Sequence, residues 1–334
     1  MKQITQNIFI LETPQRVLSP ILHFSLLILH CATAPCYYKW EDRIVFSKLD
    51  YKYQRRIIIV LFLIVPLTFL LLFTYLPAIN MISYSFTSWK GYGNKTFVGL
   101  KNYIDIFSNP ETFAVFKNSI YYFIGGIIQL IVAFYLAVVV NSKLKAKNFF
   151  KSIFFFPYLI NGVAISLMFL FFFQPDGTLD TVLKGLGLQG IITQWLGNEN
   201  VVNYSLAFTS VWRYIGYSFI IFLGAMQSVS TEVLEAAEID GAGEWHKIRY
   251  ILVPSVKNII KLNLILNISG AISVFEIPYI MTGGANGSST FVIETMNTAF
   301  KFNQVGKASA MAVIVMIIVA SVALIQNIFF KEEK

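Results

Sequence analysis

Six stretches of about twenty residues, nearly free of charge, recur along this 334-residue chain and decide what it can fold into. They cover residues 57–78, 121–140, 153–173, 206–225, 259–279 and 308–329. In hydrocarbon, backbone groups have no water to bond, so a spanning segment must satisfy them internally, as a helix does. Composition agrees: 56% of residues are hydrophobic, 13% are charged and mean hydropathy is +0.64, where a soluble domain carries about 25% charged residues. The expectation is an all-α membrane protein, a bundle of six transmembrane helices. Pro66, Pro157 and Pro278 fall in or beside these runs, as bundled membrane helices tolerate.

Orientation follows from the cations. Lys48, Lys52, Arg55 and Arg56 precede the first run, Lys143, Lys145, Lys147 and Lys151 fill the second connection, and Lys247, Arg249, Lys257 and Lys261 surround the fourth. With Lys331 and Lys334 at the end, they share one side if the chain is multi-pass in a bacterial cytoplasmic membrane with both termini cytoplasmic. The first external loop is mixed, with Lys90, Lys95 and Lys101 against Asp105 and Glu111. The net charge of +8 is then a flanking-residue effect, and no basic, aromatic-interleaved face points to nucleic acid.

Residues 1–45 stand apart from the remainder, 46–334. The apolar part of this extension is short for a span and interrupted by His23 and His30, which suits a signal-peptide core or an interfacial helix. An overlong start and a genuine extension remain equal readings. Cys31 and Cys36 are too few for a disulfide framework or a structural metal site.

Catalytic chemistry finds no footing in the residues. There is no phosphate-binding loop of the G-x-x-x-x-G-K-S/T type. Gly185 to Gly190 matches a dinucleotide fingerprint by letters alone, without a preceding strand. His23, His30 and His246 are scattered and form no ligand set. No metal and no catalytic residue is expected.

Residues 231–254, between the fourth and fifth runs, are different in kind. Glu235-Ala236-Ala237 is followed by Asp240-Gly241 and, nine residues beyond the glycine, by Ile251-Leu252-Val253-Pro254. Alanine and glycine remove bulk so that another surface can approach, while Glu235, Glu238, Asp240, His246, Lys247 and Arg249 supply charge. Gly241-Ala242-Gly243 should divide the segment into two short helices.

This spacing resembles the EAA loop of permease subunits of binding-protein-dependent ABC importers, most closely the carbohydrate-uptake branch. Phe97 to Tyr103, Thr282-Gly283-Gly284 and Gly306 to Ala310 resemble further signatures of that branch in the same order, although Ala285-Asn286 replaces the usual glycine-proline. The resemblance starts near Phe46 and runs to the end. It implies a coupling loop that docks in a cleft of a cytoplasmic ATPase, with Glu235 meeting a basic group, Ala236, Ala237 and Gly241 packing closely, and Asp240 and Pro254 completing the motif. It further implies a second, homologous permease, two ATPase subunits that bind ATP and magnesium, and an extracellular lipid-anchored binding protein that delivers an oligosaccharide. This chain itself needs no cofactor.

For the translocation path, polar groups inside apolar runs are the candidates. Glu276 is one by position. Maltose-type permeases contact sugar from the fourth and fifth spans, and that resemblance maps onto Arg213, Tyr214, Tyr217, Gly270 and Ser273. Aromatic faces stack on sugar C–H surfaces, and polar side chains bond hydroxyls. Two other classes stay open: an ABC permease for another solute, such as glycerol phosphate or an amino acid, and a secondary transporter.

Overall fold

A computed structural model describes residues 50–142 and 146–329. The extension 1–45, its two cysteines, Lys48, Lys143, Lys145 and the terminal lysines lie outside the described residues. The chain forms two compact units, divided after Leu71.

The described part of the first unit is helix α1, Tyr51–Leu70, which contains Pro66 and buries none of its side chains. Apolar residues on every side, Phe62 among the most exposed, are what a helix surrounded by lipid requires.

The second unit holds α2 (Leu76–Ser85), α3 (Phe116–Asn141), α4 (Lys147–Leu159), α5 (Gly162–Phe173) and α6 (Val202–Met226). After them come α7 (Thr231–Ile239), α8 (Glu244–Lys247), α9 (Lys257–Ile272), α10 (Glu276–Thr282) and α11 (Val305–Phe329). Among the described residues, five helical stretches are long and apolar enough to cross a membrane: Tyr51–Ser85, Pro110–Asn141, Val202–Met226, Lys257–Thr282 and Val305–Gln326.

The run at 153–173 behaves differently from the straight span expected there. It is divided between α4 and α5, which meet at 92°. Ile160 is extended, and the Asn161 side chain accepts from the Val163 amide at 2.8 Å. Asparagine is a strong helix initiator because its oxygen satisfies an amide that the first turn leaves unpaired. A fresh helix therefore starts at Gly162, and the described residues hold six spans when this bent pair is counted as one.

Core clusters tie the unit together. Ala133, Ala137 and Val140 of α3 meet Phe219, Phe222 and Met226 of α6. Ile165, Phe169 and Phe173 of α5 meet Leu206, Ala271, Ile277 and Met281. Small residues let helices approach where no hydrophobic force separates protein from lipid. Gly216 of α6 is the clearest case, since a Cβ there would overlap the Phe154 carbonyl of α4.

Outside the helices, the sequence signatures act as ties. Asn102 donates to the carbonyls of Ser85 and Thr87 at 2.8 and 2.9 Å, and Tyr103 donates to the Ser85 hydroxyl at 2.7 Å. Gly306 bonds the Trp89 carbonyl at 3.1 Å. Lys95 lies over the rings of Tyr84 and Trp89, 4.1 and 4.4 Å from their centroids. That cation is held by aromatic faces, which accounts for one of the lysines in the first, charge-mixed connection.

Candidate functional site

Three helices place polar or small residues at helical spacing within otherwise apolar surfaces. On α3 these are Tyr122, Gly126 and Gln129; on α6, Ser210, Arg213, Tyr214 and Tyr217; on α9, Asn263, Asn267 and Gly270. Intervals of three and four put each set on one face of its helix. The three faces converge on a cavity of about 480 Å³. Ser273 and Glu276 also line it, so Arg213, Tyr214, Tyr217, Gly270, Ser273 and Glu276, the six residues expected in the path, share one cavity.

The break between α9 and α10 delivers the last two. Helix α9 ends at Ile272, and the Val274 carbonyl turns away to accept from Thr290 at 2.8 Å. Glu276 opens α10 and forms an ion pair with Arg213. The guanidinium also lies 5.1 Å from the centre of the Tyr214 ring. Tyr217 packs against Tyr158, ring centres 4.9 Å apart. A paired charge inside a span is far cheaper than a lone one.

Several lining groups are tied to the scaffold. Gln129 donates to the Tyr214 carbonyl at 3.2 Å and to the Ser218 hydroxyl at 2.9 Å. Others hold a donor with no protein partner: the Tyr122 hydroxyl, the Ser210 hydroxyl and the Arg213 Nε are buried and unpaired. Buried polar groups normally have partners, so these are places for water or a hydroxyl-rich ligand.

Glycines that composition alone would pass over lie against the cavity's polar side chains. A Cβ on Gly126 would run into the Asn267 amide, and one on Gly162 into both the Glu276 carboxylate and the Arg213 guanidinium. Sequence reasoning missed Gly126, Gly162 and Tyr122. The signal for Gly126 and Tyr122 was their helical spacing with Gln129; for Gly162 it was the Asn-Gly pair inside an apolar run.

The second candidate site is the 231–254 loop. Ser230 caps α7 by accepting from the Glu232 amide at 3.2 Å. Helix α7 ends where Gly241 adopts φ +82°, a left-handed geometry that costs other residues energy. The Ala242 amide returns to the Ala237 carbonyl at 2.9 Å. Helix α8 follows and runs into a π-turn at Ile248–Leu252. Glu235, Ala236, Asp240, Gly241 and Pro254 are exposed and Ala237 half-buried. Ile239, 87% exposed, and Trp245, 67% exposed, stand bare beside them. Lys247 is buried and reaches Glu238 and Glu244, each at 2.6 Å. These two carboxylates hold its ammonium above the ordinary lysine value of 10.5.

Residues 129–332 match the family of binding-protein-dependent transport system inner membrane components. The chain belongs to that family. This inner-membrane component is 35% identical over 288 residues to a protein of Bacillus subtilis named as the probable ABC transporter permease protein YurN, covering 84% of this chain and 98% of that one. It is 32% identical to the multiple sugar-binding transport system permease protein MsmF of Streptococcus mutans, over 79% of this chain and 92% of that one. Its fold matches a chain of the bacterial alginate ABC transporter, solved with an alginate pentasaccharide-bound periplasmic protein. The TM-score is 0.73 at 18% identity, covering 84% of this chain and 96% of that one.

Proposed function

We propose that this chain is one permease subunit of an ATP-driven importer that carries carbohydrate, an oligosaccharide, across the cytoplasmic membrane after an extracellular binding protein delivers it. The observation that carries the reading is the cavity itself. Polar faces of three helices converge with the tyrosines 214 and 217 on a space of about 480 Å³, and rings with amides and hydroxyls are the groups that hold sugars. The multiple-sugar relative and the alginate transporter support carbohydrate over glycerol phosphate or an amino acid.

Within this reading Tyr214 and Tyr217 offer faces to the sugar ring, while Ser273, with Asn263 and Asn267, bonds hydroxyls. Gly270 leaves room for passage, since nothing lies within 4 Å of where its Cβ would be. Arg213 and Glu276 set the charge of the wall. A second, similar permease closes the other half of the route, and both termini of this chain face the cytoplasm.

The chemistry of the cycle belongs to two ATPase subunits, which bind ATP and magnesium. Their clefts receive α7 and α8, with Glu235 opposite a basic group and Ala236, Ala237 and Gly241 allowing close approach. Asp240 and Pro254 border this contact. Closure of the ATPases moves the docked helices, and spans on either side of the loop move with them.

The test is ATPase activity of the reconstituted complex with the binding protein, with and without a panel of oligosaccharides. The reading expects stimulation by sugar-loaded binding protein, lost in Glu235→Lys. A complex whose ATPase ignores every sugar and responds to an amino acid would overturn it.

A further inference from the structure

Among the described residues lining the cavity, only Arg213 and Glu276 are of the basic or acidic types; the other polar members are amides, hydroxyls and phenols. The two charges are paired with each other. Three elements hold them in place. Arg213 is fixed on α6, Glu276 by the break that opens α10, and Gly162 of α5 presses on both with no space for a side chain. The Tyr214 ring stands 5.1 Å from the guanidinium on a further side.

An unpaired arginine in such a wall would be the natural receptor for a carboxylate, because its planar fork matches two oxygens. Here one arm of that fork, Nη1, already meets the Glu276 carboxylate, so the cation's charge is compensated. We propose that the Arg213–Glu276 pair holds this cavity at net zero charge, making it a selectivity element that favours uncharged sugar over an anionic one. The proposal rests on the carbohydrate reading and names its charge class. A uronate entering the cavity would bring a charge where Glu276 already balances Arg213, and an uncompensated charge away from water is costly. A neutral sugar meets only hydroxyls, amides and ring faces. The unpaired Tyr122 and Ser210 hydroxyls can serve such a ligand, each as donor and acceptor.

The experiment reads the potential of the cavity without any sugar, so its failure is separate from failure of the carbohydrate reading. In the full chain with Cys31→Ser and Cys36→Ser, Ser273→Cys places a thiol at an exposed position of the lining. Membrane vesicles containing the chain and its partner subunits are treated with an anionic sulfonatoethyl and a cationic trimethylammonioethyl methanethiosulfonate. Each rate is divided by the reagent's rate with free cysteine. The normalised anion-to-cation ratio should lie within about threefold of one for this protein. Glu276→Gln should raise the ratio about tenfold and Arg213→Gln lower it about as much, given a unit charge at short range. The double variant should return it to the starting value. A starting ratio already tenfold from one, or single variants that leave it unchanged, would overturn the proposal. The starting ratio needs neither variant, so poor folding of Glu276→Gln or Arg213→Gln leaves the test decisive.

Discussion

Lys247 donates to Glu238 at 2.6 Å across the turn that separates α7 from α8. The same ammonium reaches Glu244 at 2.6 Å, so one buried lysine joins the end of the first loop helix to the start of the second. Removing it leaves two carboxylates facing each other. Lys247→Met should therefore loosen the loop, and amide hydrogen exchange over residues 231–247 should quicken while Lys247→Arg stays slow. The sign with pH follows from the raised lysine value: the tie is fully present below the ordinary value and is lost only as pH climbs past the raised one. Exchange unchanged in Lys247→Met would remove the clamp from the account.

Docking predicts a different outcome for the exposed surface of the same loop. If the proposed ATPase contact forms here, Glu235→Lys turns an attraction into repulsion, and Gly241→Trp adds bulk at a position open to solvent. Both should abolish uptake and co-purification of the ATPase while leaving the protein in the membrane. Gly241→Asn should be milder, because asparagine tolerates the left-handed conformation that φ +82° demands. Normal uptake by both of the first two variants would remove the coupling role.

Packing predicts opposite signs for one substitution at two positions of α6. At Gly216 a Cβ overlaps the Phe154 carbonyl, whereas at Gly224 it meets nothing within 4 Å. Gly216→Ala should destabilise by about 1–3 kcal/mol, and Gly224→Ala should be neutral or stabilise by about 0.5–1 kcal/mol. Thermal unfolding of the purified complex measures both. Equal shifts would show that the close approach of α4 and α6 is not what Gly216 provides.

Much of the cavity could be read from sequence because charge and aromatic hydroxyls are conspicuous in apolar runs. Glu276 announced itself that way, while Arg213 and Tyr217 were placed in the path by the resemblance to maltose-type permeases. Gly126 and Gly162 did not, since a glycine in a membrane helix is unremarkable until another helix sends Asn267 or Glu276 against it, and that approach is non-local. The 92° bend at Ile160 to Gly162 was hidden for a related reason. Hydropathy averaged over 153–173 reads as one span, while the Asn161 cap that ends it is a single-residue effect.

On the proposed path, Tyr217→Ala removes a ring face worth about 1 kcal/mol or more, and Ser273→Leu replaces a hydroxyl by bulk. Uptake should slow about fivefold or more in each, with sugar affinity of the separate binding protein unchanged. Wild-type rates in both would make these residues structural and move the route elsewhere.

On the proposed function, this chain passes sugar only as part of an ATP-driven, binding-protein-fed complex. The direct measurement is uptake of labelled oligosaccharide into proteoliposomes holding the permease pair and its ATPases, with ATP and binding protein each supplied or withheld. The account predicts uptake only when both are present, and none with Glu235→Lys. Sugar accumulating without ATP, driven by an ion gradient alone, would contradict it.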